Sequence, residues 1–356
     1  MKNPTPTALL AIALFALTTA HAGQKDRTLD VYWIDSEGGG STLIVTPNDE
    51  SVLIDAGNPG GRDPSRIVAA AKMAGLSKID YLAITHWHGD HFGGTAELVE
   101  LLPVGTIFQR ALPDTDPDKR NDASWALRSK ASRAVTTPRA SLAPGVTIPL
   151  KPVAGGPQLS LRCLAADTKF IEPTAAQKAH PTNFGESAPK GPEPDVDNDS
   201  SAVFLLSFGG FRFFDGGDLT WAWEPKLVSP YNLVGAVDVY QTNHHGLDRS
   251  NNPILIRGLS PTVAVMNNGP RKGGQAGTLA TLKELPGLQA LYQMHKSMNV
   301  PVEANAPAEF IANLEAATPP DKCTANVIKM SVAADGKSYT ISIPANGHAR
   351  TYRTKG

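Results

Sequence analysis

The stretch Thr85-His86-Trp87-His88-Gly89-Asp90-His91 limits this chain more than any other. Three histidines and an aspartate fall between positions 86 and 91, directly after the apolar run Ile79-Asp80-Tyr81-Leu82-Ala83-Ile84. A single buried histidine is satisfied by its own hydrogen bonds. Four such groups packed this closely would each need a separate partner, whereas one metal ion answers several at once. Imidazole and carboxylate together suit Zn²⁺ and its transition-metal neighbours. The preceding run reads as a short buried strand, and Gly93-Gly94 followed by Thr95 to Leu102 reads as the start of a helix. The ligands then sit on a tight loop at the C-terminal end of a strand, where α/β folds place their chemistry.

His86-x-His88-x-Asp90-His91 resembles the signature of the metallo-β-lactamase superfamily, αββα sandwiches of metal-dependent hydrolases. The resemblance extends over roughly residues 29 to 270. It implies an α/β fold in which His86 and His88 bind one metal, and Asp90 and His91 a second. The implied cofactor is a pair of Zn²⁺ ions, with Mn²⁺ as the alternative. One fold hosts many activities, so the resemblance reaches fold and metal chemistry before substrate.

Two further stretches extend it. The apolar runs before and after Gly209-Gly210 form a β-hairpin pattern, and Asp218 follows in a Gly-Gly-Asp turn. The aspartate at this place bridges the two metals in the superfamily; the plain alternative is a turn aspartate. Val237 to Gln241 is a strand leading into Thr242-Asn243-His244-His245-Gly246. Of His244 and His245, one is expected to ligate and the other to donate to substrate or act as an acid. Asp218 and Asp90 are the expected catalytic carboxylates, the first bridging and the second orienting the nucleophile as a base. Asp55, in the strand Ser51 to Gly57 that ends in a turn, is expected to orient a ligating histidine from behind, or else to cap its own turn.

The pattern departs from its best-known members at one point. A histidine expected shortly before the first hairpin strand is missing, and Asp197-Asn198-Asp199 stands there instead. This form resembles the hydrolase-like domain of bacterial DNA-uptake channel proteins and its secreted relatives. It implies a first site of two histidines plus an oxygen ligand or water, weaker or biased towards Mn²⁺. Asn198 is expected in support behind the ligands. Arg271 and Lys272, on the Gly-rich loop after Val263 to Met266, are expected either to bind an anionic substrate group or to form a solvated loop.

At the N-terminus, Lys2 is the only charge in residues 1–22, Ala8 to Leu17 is apolar, and Ala20-His21-Ala22 has the form of a cleavage site. That is a signal peptide, too short in its apolar part to span a bilayer, and it predicts a periplasmic or secreted protein. Without Lys2 the formal net charge of −1 becomes −2, so no basic field marks a dedicated nucleic-acid binder. No later segment approaches the ~18 apolar residues of a membrane span. The sequence therefore divides into the signal peptide, a hydrolase domain over 23–320 with a loop insertion at 165–197, and a C-terminal β extension over 321–356. Cys163 and Cys323 are either a disulfide or two free thiols. Nothing in the chain sets an oligomeric state. The expected reaction is hydrolysis of a small-molecule or phosphodiester substrate. Lactone, β-lactam or other ester and amide hydrolysis is the rival, and a non-catalytic metal-binding protein the third reading.

Overall fold

The computed structural model describes residues 26–119, 123–191, 196–315 and 323–356. The expected signal peptide (1–22) and the expected boundary at 320/321 lie outside the described residues. In chain order the elements are β1 (Leu29–Trp33), β2 (Thr42–Val45), β3 (Ser51–Ile54), α1 (Arg62–Met73), β4 (Ile79–Ala83), α2 (Gly89–Phe92), α3 (Thr95–Leu101), β5 (Val104–Gln109), α4 (Ala123–Ala134) and β6 (Arg139–Ser141). Then come β7 (Leu159–Ala166), β8 (Lys169–Phe170), α5 (Ala175–Ala179), β9 (Val203–Phe208), β10 (Phe211–Asp215), β11 (Val239–Gln241), α6 (Pro253–Leu259), β12 (Val263–Met266), α7 (Ala276–Lys283), β13 (Ala290–His295) and β14 (Ile311–Asn313). The chain closes with β15 (Ile328–Val332), β16 (Ser338–Ile343) and β17 (His348–Arg353).

The strands form two sheets, ordered β17-β16-β15-β1-β2-β3-β4-β5-β6 and β14-β13-β12-β11-β10-β9-β7-β8. Alternation along each strand explains their stacking. Leu29, Val31 and Trp33 of β1 point one way and meet Phe204, Leu206, Phe208, Phe211 and Phe213 of the second sheet. Trp33 and Phe213 make the edge-to-face contact, with centroids 5.6 Å apart. The opposite face, through Tyr32, Leu43, Val45 and Leu53, packs on Ile67, Ala70 and Ala71 of α1. On the far side, Phe214, Tyr240, Ala264 and Met266 pack on α6 and α7. Both sheets are therefore covered on both faces, which is why their central strands read as unbroken apolar runs. The result is an αββα sandwich.

The C-terminal strands join the first sheet through β15, which pairs antiparallel with β1 in the register Val31↔Met330. They are a third of that sheet rather than an appendage. The 165–197 stretch holds short structure of its own, β8 and α5, the latter started by a Thr174–Gln177 capping box. Both cysteines are free. Cys163 is buried in the inter-sheet core, and Cys323 donates to Asp35 at 3.4 Å. Among the described residues no helix is long and apolar enough to cross a membrane.

Candidate metal centre

Loops at the C-terminal ends of β4, β10 and β11 converge at one edge of the sandwich. β4 delivers His86 to His91, β10 delivers Asp218, and β11 delivers His244 and His245. Four donor atoms gather most tightly. His91 Nε2 lies 3.2 Å from His245 Nε2, 3.3 Å from Asp218 Oδ2 and 3.4 Å from Asp90 Oδ2. His245 Nε2 lies 3.4 Å from Asp218 Oδ2 and 3.5 Å from Asp90 Oδ2. Ligands bound tetrahedrally to a zinc-sized ion stand about 3.3–3.5 Å from one another, given bonds of about 2.0–2.2 Å. The donor set therefore has the dimensions of a metal site.

A second group shares Asp218. His86 Nε2 is 3.1 Å from His88 Nδ1 and 3.8 Å from Asp218 Oδ2. One carboxylate oxygen thus stands between two sets of imidazoles. His244 belongs to neither tight group. Its Nε2 is 3.5 Å from Asp218 Oδ2 and 3.4 Å from the Asn198 amide nitrogen, with Nδ1 3.3 Å from Ser250 Oγ. Asn198 is fully buried, and its Oδ1 has no hydrogen-bond partner. An orphaned buried acceptor beside clustered imidazoles is what an absent cation leaves behind. Its neighbours are committed elsewhere. Asp197 accepts from the Trp87 amide at 2.5 Å and from Arg110 at 2.8 Å, and Asp199 accepts from the Thr220 hydroxyl.

The ligating nitrogens are oriented from behind, which fixes the tautomer each ring presents. His91 Nδ1 donates to Asp55 Oδ2 at 2.6 Å, turning Nε2 inward. Asp55 is itself held by the Thr85 amide and hydroxyl at 2.8 and 2.7 Å. His86 Nδ1 meets Thr85 Oγ1 at 3.0 Å. His88 Nε2 meets Asp118 Oδ2 at 2.6 Å. Gly40 makes room for this arrangement, since a Cβ there would stand 2.6 Å from His91 Nδ1.

His244 and His245 both have left-handed backbone, with φ of 51° and 56°. Two such non-glycine residues in succession are strained, and the surroundings must hold them. Glu224 does so, accepting from the Asn251 and Asn252 amides at 2.7 and 2.6 Å and from the Asn243 side chain at 2.6 Å. No pattern in the sequence marks Glu224, Asp118 or Thr85 for these tasks.

Charge follows the geometry. Against the upward push of burial, Lys272 and His91 hold the Asp90 carboxyl well below the usual range. Burial likewise opposes, and His245, His91 and His244 outweigh it, for Asp218. For His91 the desolvation that lowers its pKa is overcome by Asp218, Asp55 and Asp90, which raise it well above the ordinary value. His86 is the reverse: burial, then His91 and His88, push it well down. Such opposed shifts arise where carboxylates and imidazoles are packed together away from water.

The centre opens into a cavity of about 290 Å³ lined by His88, Asp90, Asp118, Arg128, Asp218, His244 and Lys272, with Trp87, Trp125 and Leu247 as its apolar part. Asp90 and Lys272, which form an ion pair, also line a neighbouring cavity of about 470 Å³ containing Gly38, Asn58 and Arg62. Arg271 is exposed and lines neither. A third cluster, Asp35, His295 and Cys323, is a different kind of object. Arg66 already supplies its positive charge, 3.1 Å from Asp35, and burial pushes the Cys323 thiol up to about 11.

A sequence profile described as the metallo-beta-lactamase superfamily matches residues 35–121, the span that carries Asp55 and the His86–His91 cluster. Over that span the chain is similar to the metallo-β-lactamase superfamily. Among its relatives, lactamase-like protein nscB of Neosartorya fischeri is 34% identical over 102 residues, covering 28% of this chain and 31% of that protein. Competence protein ComA of Neisseria gonorrhoeae is 24% identical over 266 residues, covering 74% of this chain and 30% of that one. The matches thus span about a third of these relatives' lengths. Among solved structures, a metallo hydrolase from the archaeon Ignicoccus hospitalis is 15% identical, with a TM-score of 0.40, covering 74% of this chain and 94% of that chain. Two groups of donor atoms that could each hold a metal ion, Asp90-His91-Asp218-His245 and His86-His88-Asp218, have Asp218 in common.

Proposed function

We propose that this chain is a dinuclear metal-dependent phosphodiester hydrolase that works outside the cytoplasm. Asp90, His91, Asp218 and His245 are assigned to one ion. His86, His88 and Asp218 are assigned to the other, with the buried, unpartnered Asn198 oxygen proposed as its oxygen ligand. The ions are Zn²⁺ or, at the oxygen-bearing site, Mn²⁺. When bound, such a pair supplies Lewis acidity to the scissile centre and a hydrolytic nucleophile at neutral pH. The chain's own groups do the rest. Asp218 would be shared between the two ions and Asp90 orients the attacking water as a base, while Asp55, Thr85 and Asp118 keep the imidazoles aligned. His244 stands beside Asp218 on the cavity, placed to exchange a proton with the leaving oxygen. Trp87, Trp125 and Leu247 restrict water at the mouth.

The observation that carries the phosphodiester reading is Asn198. A buried amide oxygen, in place of an imidazole, makes the first site harder and favours a phosphoryl oxygen over a carbonyl. Lys272, on the same cavity, adds a cation suited to the phosphate charge. A second reading, carboxylic ester or thioester hydrolysis, draws on 35% identity over 102 residues to an atrochrysone carboxyl ACP thioesterase from Cryptosporiopsis, 28% of this chain and 31% of that one. The test is a panel of an aryl phosphodiester, a phosphomonoester, a lactone, a thioester and a chromogenic cephalosporin, with Zn²⁺ and Mn²⁺. Turnover of the diester above the others is expected. Fast ester or β-lactam turnover without diester cleavage would overturn the substrate and leave the metal-hydrolase reading in place. Export rests on residues 1–22, and N-terminal sequencing of the mature protein should begin near Gly23.

A further inference from the structure

Asn198, whose oxygen is assigned to the first ion, is carried by a single 3₁₀ turn, Asn198–Ser200, closed by the Ser200 amide on the Asp197 carbonyl at 3.0 Å. So short a turn does not hold a side chain at ligand precision by itself. Three ties to the metal loop and its support hold it instead. The Ala202 amide donates to the carbonyl of Thr85, one residue before His86, at 2.9 Å. The Trp87 amide, between His86 and His88, donates to Asp197 Oδ2 at 2.5 Å. The Asp197 amide donates to Asp118 Oδ1 at 3.0 Å, and the other oxygen of that carboxylate meets His88 Nε2 at 2.6 Å. Asn198 lies within the span of these ties, and two of the three run through Asp197.

Asp197 is only 4% exposed, and a buried carboxylate is costly unless an opposite charge faces it. Arg110, directly after β5, faces it. One arm of its guanidinium donates to Asp197 Oδ1 at 2.8 Å and the other to Asp167 Oδ1 at 2.9 Å. The guanidinium carbon lies 5.9 Å from the Trp87 ring centroid, so one cation meets both partners of the Trp87–Asp197 bond. The Asp167 amide returns to the Ser200 carbonyl at 3.0 Å, which fastens Asp167 to the same turn. We infer that Asp197, charge-balanced by Arg110, is a positioning residue for the first ion and sets the distance between Asn198 and the His86–His88 pair. The ties of Asp197 run to that side of the centre, whereas His91 is held by Asp55 and the His245 loop by Glu224. Its effect is therefore confined to one ion. The inference rests on the assignment of His86, His88, Asp218 and Asn198 to that ion, and it is independent of the substrate.

The experiment separates the two ions by removing one ligand of each. In the full chain His245→Ala leaves the first site and His88→Ala the second, and Zn²⁺ affinity is measured in each background against a competing chelator. Asp197→Asn keeps the shape of the side chain but turns one acceptor into a donor. Added to His245→Ala, it should weaken Zn²⁺ binding about tenfold or more, as loss of a supporting partner does. Added to His88→Ala, it should change the affinity by less than about twofold, as expected of independent sites. Arg110→Lys keeps the charge and loses the fork, so it should reproduce part of the first-site loss, and it decides the question if Asp197→Asn fails to fold. A merely structural role would weaken both backgrounds alike, and that result overturns the inference, as does an undiminished first-site affinity in both variants. A His245→Ala chain that binds no Zn²⁺ would remove the first-ion assignment and the positioning role with it. Binding that ignores Asp197 and Arg110 would remove the positioning role alone.

Discussion

Asp118 Oδ2 lies 2.6 Å from His88 Nε2, while the other nitrogen of that ring, Nδ1, lies 3.1 Å from His86 Nε2. A proton on Nε2 shared with Asp118 leaves the Nδ1 lone pair for a metal, so the carboxylate selects the tautomer. Asp118 is held in turn by the Asp197 amide, which donates to Oδ1 at 3.0 Å. Removing such a partner typically costs about 10–100-fold in metal affinity. Asp118→Ala should therefore release one of two ions at a correspondingly lower chelator concentration, with the second ion retained. Metal analysis along a chelator titration reads this directly. Equal retention of both ions would show that His88 needs no such support.

Asn198→His tests the first site from the opposite direction. The Asn198 amide nitrogen lies 3.4 Å from His244 Nε2, and Asn198 is proposed as the oxygen ligand of the first site. An imidazole there replaces a hard oxygen with a borderline nitrogen, so the preference should move from Mn²⁺ towards Zn²⁺. Competition of the two metals for the apoprotein, followed by elemental analysis, gives the shift as a ratio. An unchanged ratio would mean that Asn198 lies outside the coordination sphere.

The candidate ligands are legible in the sequence because His86, His88, Asp90 and His91 crowd into one short segment, and because Asp218 and His244-His245 each follow an apolar strand. Their supports were not legible for a physical reason. Asp118 sits in Pro113-Asp114-Thr115-Asp116-Pro117-Asp118, whose composition says turn and nothing more, and only the fold brings it to His88. Arg128 and Lys272 are separated by 144 positions along the numbering yet line one cavity. Arg271 and Lys272 are equivalent in the sequence, and of the two Lys272 lines the cavity. The strands β15 to β17 alternated clearly, but their pairing partner, β1, is at the other end of the chain, which no local pattern records.

Gly40 carries a sharper prediction than its neighbours Gly38 and Gly39. A Cβ there would stand 2.6 Å from His91 Nδ1, 2.7 Å from Asp55 Oδ2 and 2.9 Å from Asp55 Cβ. Both partners are buried and neither is the loose end of a flexible chain. Gly40→Ala must therefore part the Asp55–His91 hydrogen bond or move the β1–β2 loop. Overpacking of this kind costs about 1–3 kcal/mol. We expect a lowered midpoint in chemical denaturation together with weaker binding of the ion held by His91. A stable variant with full metal content would show that the loop yields freely.

Glu224 supplies a pH-dependent test that lies behind the metal ligands. It is fully buried and holds the strained His244-His245 loop by accepting from the Asn251 and Asn252 amides and the Asn243 side chain. Burial is the strongest influence and lifts its carboxyl from 4.5 to about 7, with the bonds from Asn252, Asn251 and Asn243 pulling the other way. The folded value lies above the unfolded one, so the folded state binds this proton more tightly. The resulting stabilisation is complete below the unfolded pKa of about 4.5 and is lost as the pH rises through about 7. A difference of this size corresponds to something on the order of 3 kcal/mol. Glu224→Gln cannot titrate, so it should lack this slope, although its baseline stability will be lower because a side-chain amide cannot accept all three bonds. Urea unfolding of both proteins, at intervals between pH 4.5 and 8 and with the same metal content, isolates the effect as their difference. The advantage of the wild type should shrink across that range, most of it before pH 7. A constant difference would mean that Glu224 is ionised throughout and that its three donors outweigh its burial.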